Sequence, residues 1–309
     1  MDIKKAYLEK VLSKYLFDKD GKYKVKWINF EFNSSCNLRC KWCTLDHTKK
    51  REIISEETLT KSFDEFIANG KFSIKRIDLH NAGETLLHPN LKRLLDIIAV
   101  KKQEIKSKPT VHLLTNALIL NEQKSREIIE SGAIDEIRFS IDGGTKEAYE
   151  SIRRGSNWGK VRDNIKKFLE LNNGKIKTGV ICIVPNERDI SIEWMEDDFK
   201  EIFLTMDNID LRRPHNWDGS IELDIDETAN EQANGRTCKF LMKNMVILPN
   251  GDVTVCCADL NGRGIIGNVN DSSLEEIFLS FQRLQMLKLF SKGKKDDINL
   301  CKACAGFYE

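Results

Sequence analysis

Six strand-like runs, each separated from the next by an amphipathic helical segment, constrain this chain more than any other feature. The runs are Val25–Phe32, Ile74–His80, Thr110–Thr115, Ile134–Ile141, Ile176–Val184 and Ile209–Arg212. Between them apolar residues recur three and four apart, as Leu59, Phe63, Phe66 and Ile67 do. Ser55, Asn121 and Thr145 stand where helix N-caps are wanted, and Gly70 and Gly132 where C-termini favour glycine. Alternating β and α predicts a parallel sheet covered by helices, as a six-stranded open barrel or a doubly wound sheet. Each run leads into polar residues: NSSCNLRCKWC, NAGE, TN, SIDGG, PNE and RRPHNW in turn. Parallel α/β folds gather their ligand-binding groups at that edge. The layout is an enzyme's.

After about residue 215 the alternation stops. MVILPNGDVTVCC reads as a hairpin turning at Pro249-Asn250-Gly251, and Ser273–Phe290 as one amphipathic helix. Ile3–Phe17 reads as an outer amphipathic helix. Lys plus Arg number 49 against 48 acids, so there is no basic field for nucleic acid and no polybasic membrane patch. The longest apolar run, Val180–Val184, is far below the roughly 20 residues of a membrane span. MDIKKAYLEK lacks the features of a signal peptide. The expectation is a cytoplasmic protein.

Nine cysteines in a reducing compartment point to metal ligands or reactive thiols rather than disulfides. Cys36, Cys40 and Cys43 form one group; Cys238, Cys256, Cys257, Cys301 and Cys304 form another. Cys182, inside VICIV, reads as a small buried hydrophobe. Three thiols on one loop would ligate a four-iron cluster and leave one iron open for a ligand. A Cys3His zinc site completed by His47 is the rival on spacing alone.

The ordered motifs resemble the radical S-adenosylmethionine (SAM) superfamily, whose cluster signature is C-x3-C-x2-C. Trp42, before the third cysteine, fits that pattern. Asn81-Ala82-Gly83-Glu84 is similar to the family's GGE motif, departing in its first two residues. The resemblance implies that Gly83 lets the backbone approach SAM and that Glu84 accepts its ammonium. Asn116 matches the polar end of the third strand. Ser140, Asp142 and Arg153 (in YESIRRG) resemble the family's handling of the SAM carboxylate and ribose, and Ile183 its adenine contact. The implied fold is a partial (β/α)6 TIM barrel over residues 25–215, after a helical extension over 1–24. The implied chemistry is reductive SAM cleavage to methionine and a 5′-deoxyadenosyl radical, which takes a hydrogen atom from an unactivated carbon.

Cys238, Cys256 and Cys301-x-x-Cys304 resemble the start of the SPASM pattern, in its shortened "twitch" form with one auxiliary four-iron cluster. The spacing is similar to that of radical SAM aminocyclitol dehydrogenases. Residues 216–309 are then a small β-hairpin and helix iron–sulfur domain. Four cysteines would ligate that cluster fully, leaving it to move electrons; a structural zinc is the bland alternative.

Cys257 is either a packing residue or a hydrogen-atom donor. His215 and Arg213 are candidates to deprotonate or hydrogen-bond a substrate hydroxyl. His80 is expected near the cluster, and His47, His88 and His112 are structural. The resemblance thus implies oxidation or epimerisation of a sugar or aminocyclitol carbinol, with two 4Fe–4S clusters, SAM and a flavodoxin or ferredoxin reductant. In oxidation the substrate radical loses a proton and passes its electron to the auxiliary cluster; in epimerisation Cys257 returns a hydrogen. Modification of a ribosomal peptide is the alternative, disfavoured by the short segment ahead of the first run and by the lack of further cysteines. A non-catalytic zinc-binding interaction protein is the remaining class.

Overall fold

The computed structural model describes residues 3–222 and 238–306. All six runs form strands: β1 Trp27–Phe30, β2 Arg76–Asp78, β3 Thr110–Thr115, β4 Glu136–Ser140, β5 Lys177–Ile183 and β6 Asn208–Arg212. They are parallel and lie in chain order, β6-β5-β4-β3-β2-β1. A doubly wound sheet reverses its order part-way; an unreversed order with right-handed crossovers puts every helix on one face, as in a barrel. The covering helices pack in the same order: α3 Glu56–Ala68, α4 Leu91–Lys101, α5 Glu122–Ser131, α7 Trp158–Asn172 with the short α6 Lys146–Ile152 beside it, and α8 Asp197–Leu204.

Strand alternation separates two faces. Ile28, Ile77, Val111, Ile137, Val180 and Cys182 are fully buried on the helix side. Asn29, Asp78, His112, Glu136 and Arg138 alternate with them, on the inner side. Several ladders stop inside the predicted runs because flanking residues serve loops: Phe32 O, for example, accepts from Ile54 N.

The helix signals are largely met. Ser55, Asn121 and Thr145 accept from the backbone of Thr58, Lys124 and Ala148, and Gly132 ends α5 at φ 64°. Gly70 does not fill the predicted role: α3 ends at Ala68 with Asn69 as its cap, and Gly70 is not left-handed. Ile3–Phe17 is two helices rather than one, α1 Ile3–Val11 and α2 Ser13–Leu16, broken at Leu12. The break lets Phe17 run extended and bridge to Tyr23. The Tyr23 ring packs among Phe17, Phe72 and Phe278.

The predicted hairpin is present as β7 Asn244–Ile247 and β8 Asp252–Thr254, with Gly251 at φ 88°. Two features were not anticipated. A third strand, β9 Ile265–Asn268, pairs with β8, and β7 pairs in parallel with β1. One nine-stranded sheet therefore runs through both halves of the chain.

Ser273–Phe290 is also two helices, Leu274–Phe278 and Phe281–Ser291, each with its own serine cap, Ser273 and Ser280. Arg283 explains the break. Its fully buried guanidinium donates to Phe278 O (3.0 Å), Leu241 O (2.8 Å) and Met242 O (3.1 Å), and lies 3.9 Å from the Phe278 ring. These carbonyls end two helices, Leu274–Phe278 and Lys239–Lys243, where intrahelical donors run out. Burial pushes Arg283 down to about 9, so it stays charged near neutrality.

Candidate active site

The loop after β1 carries the first three cysteines and rests on the NAGE loop after β2. Glu84 N donates to Ser35 O at 2.8 Å. A Cβ on Gly83 would lie 1.8 Å from Asn33 O and 2.6 Å from Ser35 O. Close backbone approach, rather than a special φ, therefore dictates this glycine. Burial pushes Cys36 up to about 12 and raises Cys40 and Cys43, partly countered at the latter two by the Arg153 guanidinium. Leu38 N points at Cys36 Sγ (3.5 Å).

Glu84 departs from its expected role. It is fully enclosed, Oε1 accepting from Leu86 N (3.1 Å) and Thr115 Oγ1 (2.8 Å) and Oε2 from Asn116 N (2.9 Å). Burial raises its pKa against those hydrogen bonds. It ties the second strand end to the third, with little capacity left for an ammonium. Asn116 Nδ2 reaches Asn37 Oδ1 (2.8 Å), beside Cys36. Asp142 accepts from Ile183 N (2.7 Å) and pairs with Arg153 (2.9 Å). Burial raises Asp142 against the pull of Arg153. Ser140 ends β4 and Ile183 ends β5 on the same sheet edge.

Among the buried polar atoms without partners are Asn37 Nδ2 on this loop, His80 Nδ1 and Asn81 Oδ1 after β2, and Arg153 Nε. Such orphans are what a polar ligand would satisfy. Sequence reasoning did not single out Asn37; its position beside Cys36 was the available signal. Burial takes His80 down to about 4, so its ring is neutral. His88 is structural, Nε2 facing Ile54 O (3.1 Å) and Nδ1 accepting from Asn90 N (3.2 Å).

Cys238, Cys256, Cys301 and Cys304 line one cavity of about 30 Å³, together with Asp218 and Leu300. Cys256 Sγ accepts from Ala258 N (3.3 Å) and Cys304 Sγ from Gly306 N (3.2 Å). Burial pushes Cys304 up to about 12 and raises Cys301; a hydrogen bond with Cys257, then burial, raises Cys256. Cys257 is adjacent to the cavity but not in its lining. Among the described residues, no three His, Cys, Asp or Glu side chains gather tightly enough to hold a single metal ion.

His215 and Arg213 do not stand free for a substrate. His215 Nδ1 accepts from Trp217 N (2.8 Å) and Nε2 faces Gly306 O (3.4 Å), with burial lowering its pKa. Arg213 Nη1 donates to Pro185 O and Arg188 O, both at 2.7 Å, pinning the loop after β5. The sheet-edge position predicts a catalytic role for both; backbone groups instead meet both ring nitrogens of His215 and Nη1 of Arg213. Trp42 is half-buried and offers its carbonyl to the Trp217 indole (2.8 Å).

A family model described as the radical SAM superfamily matches residues 30–199. The chain belongs to the radical SAM superfamily. A second model, SPASM, an iron–sulfur cluster-binding domain, matches residues 238–305. The chain is 26% identical over 176 residues to the GTP 3′,8-cyclase of Syntrophomonas wolfei, covering 56% of itself and 51% of that relative. It thus spans about half that relative's length. Among solved structures, BtrN in complex with AdoMet and 2-DOIA superposes at TM-score 0.60 and 18% identity, over 92% of this chain and 94% of that one. Native anSMEcpe with bound AdoMet and Cp18Cys peptide reaches 0.65 at 17% identity, over 89% and 87%. At such identities the likeness is one of fold.

This radical SAM chain with its SPASM domain uses SAM and two 4Fe–4S clusters, one SAM-binding and one auxiliary. The donor sets suit them. Backbone N–H groups already aim at Cys36, Cys256 and Cys304, hydrogen bonds that tune iron–sulfur ligands. The buried thiols resist ionisation in the bare protein, and a bound cationic centre reverses that balance. The orphaned Asn37, Asn81 and Arg153 atoms suit a polar cofactor.

Gly83→Ala tests the contact between the two loops. The overlap with Asn33 O forces the cysteine loop to move, so 5′-deoxyadenosine release under dithionite should fall at least about tenfold. Unchanged release would show that the loops can separate without consequence.

Proposed function

We propose that this chain oxidises or epimerises a carbinol carbon of a sugar or aminocyclitol. The observation that carries this reading is the inner face of the barrel. Arg76 pairs with Asp78 (2.6 Å), His112 lies 3.5 Å from Glu136, and Arg138 joins Glu136 and Asp210. In the strand registers Asp78 lies opposite His112, and His112 opposite Glu136. An apolar substrate against this wall would desolvate ionised groups without replacing their hydrogen bonds; a hydroxylated one replaces them. The fold likeness to BtrN with 2-DOIA, over nearly the whole of both chains, supports the same class.

In this reading Cys36, Cys40 and Cys43 hold the SAM-binding cluster, and Cys238, Cys256, Cys301 and Cys304 the auxiliary one. SAM at its cluster supplies hydrogen-atom abstraction from carbon. Trp42, Gly83, Asn116, Ser140, Asp142, Arg153 and Ile183 shape the SAM pocket, with Glu84 bracing it from behind. The inner wall orients the substrate and excludes bulk water. The reductant is a flavodoxin or ferredoxin, in the cytoplasm.

Cys257 divides the two outcomes. If it returns a hydrogen atom, product made in deuterium oxide carries carbon-bound deuterium, and Cys257→Ala abolishes that label. If the reaction is oxidation, no label enters and Cys257→Ala retains product within about twofold.

Peptide modification is the second reading, favoured by the superposition on anSMEcpe with its bound peptide. Anaerobically reconstituted protein given a panel of perdeuterated aminocyclitols separates the two. Deuterium in the released 5′-deoxyadenosine supports the carbinol reading. Label arriving only from a deuterated peptide overturns it.

A further inference from the structure

We propose that residues 215–219 form a two-sided bracket that holds the first cysteine loop and the Cys301–Cys304 turn in one fixed register, with Trp217 as its positioning residue. The bracket concerns both thiol sets; it rests on the ligand reading above only for its spectroscopic arm.

One side grips the Cys301–Cys304 turn. Asn216 donates Nδ2 to Ala303 O (2.8 Å) and accepts from Ala305 N (2.9 Å). Gly219, at φ 87°, packs so closely that a Cβ there would lie 2.3 Å from Ala303 Cβ. The other side grips the first loop. Trp217 Nε1 donates to Trp42 O (2.8 Å), the carbonyl immediately before Cys43, and Trp217 packs against Leu45, Ala82 and Leu260, the same small cluster that Cys36 and Cys43 pack against.

The backbone is strained at the point where the two sides meet. Trp217 adopts φ 55°, a left-handed conformation that is unfavourable for a residue with a Cβ. The His215 ring holds that turn by accepting from Trp217 N. A local turn alone would take glycine here; the side chain is retained because the indole reaches the far loop. Asn261, shortly after Cys256 and Cys257, makes a parallel tie: it donates to Thr44 O (2.7 Å) and accepts from Asp46 N (2.9 Å). Asn216, Trp217 and Asn261 all bind main-chain atoms. They fix where the loop backbones lie, and so the separation and orientation of whatever the thiols hold.

Hydrogen exchange on Trp217→Phe and Asn216→Ala, in the reconstituted and the iron-free protein, tests this. Trp217→Phe keeps an aromatic ring but loses the N–H and part of the indole's packing against Leu45, Ala82 and Leu260. A bracket predicts reciprocity: each variant speeds exchange in both residues 36–48 and 299–306, about tenfold on the side it touches and at least about threefold on the other. Strand β3 should not change. In reconstituted Trp217→Phe with unaltered iron content, the magnetic interaction between the reduced clusters seen by electron paramagnetic resonance should shift. Loosening confined to the touched side, or none at all, overturns the bracket. Because the exchange arm needs no iron, fewer than about eight irons in the wild type would fault the ligand reading and leave the bracket judged on its own.

Discussion

Cys40→Ala should eliminate 5′-deoxyadenosine release, by more than about 10³-fold, and lower bound iron from about eight to about four per chain. The effect is all-or-none because the loop supplies only three thiols. Losing one leaves a pair, too few to hold the cluster and still keep a corner for SAM. Cys40 also lies beside the buried Arg153–Asp142 pair, whose guanidinium favours its thiolate. Cys36→Ala and Cys43→Ala should behave alike. Cys257→Ala should keep all the iron, since that thiol is outside the four-cysteine cavity. Iron and sulfide counting with a SAM cleavage assay decides the matter. A Cys40→Ala protein that still cleaves SAM would remove this loop from the chemistry.

The largest expected effect on folding belongs to Arg283→Met. Methionine fills similar space but leaves the carbonyls of Leu241, Met242 and Phe278 buried without their donor. At about 1–3 kcal/mol for each of the three orphaned acceptors, the loss is roughly 3–9 kcal/mol. The thermal midpoint should fall by roughly 5–15 °C. Arg283→Lys keeps the charge but cannot span three carbonyls, and should recover only part of the loss. Anaerobic thermal melts measure this; a shift under about 2 °C would mean that water replaces the guanidinium there.

The barrel was legible because its signals are local. Period-two apolar runs, helix caps at Ser55, Asn121 and Thr145, and polar residues after each run all lie in short windows. The three-cysteine loop was legible for the same reason. What escaped depended on partners distant in sequence. Nothing around Arg283 announces that Leu241 and Met242 end a helix beside it, so one amphipathic pattern concealed two helices. Glu84 looked available because two of its three donors, Thr115 and Asn116, come from the end of the next strand. His215 reads as a catalytic-edge residue because Gly306, whose carbonyl its Nε2 faces, lies 91 residues on. The β7–β1 pairing was invisible because alternation assigns faces and leaves neighbours open.

That pairing has a consequence for how the protein can be divided. Trp27–Phe30 is flanked by β2 on one side and β7 on the other, so the C-terminal segment is the covering of an otherwise bare sheet margin. Cutting the chain between the halves would leave a row of amide and carbonyl groups beside Ile28 and Phe30 with nothing to pair with. Such a margin recruits strands from other molecules, so the catalytic half alone would be a seed for aggregates rather than a smaller enzyme.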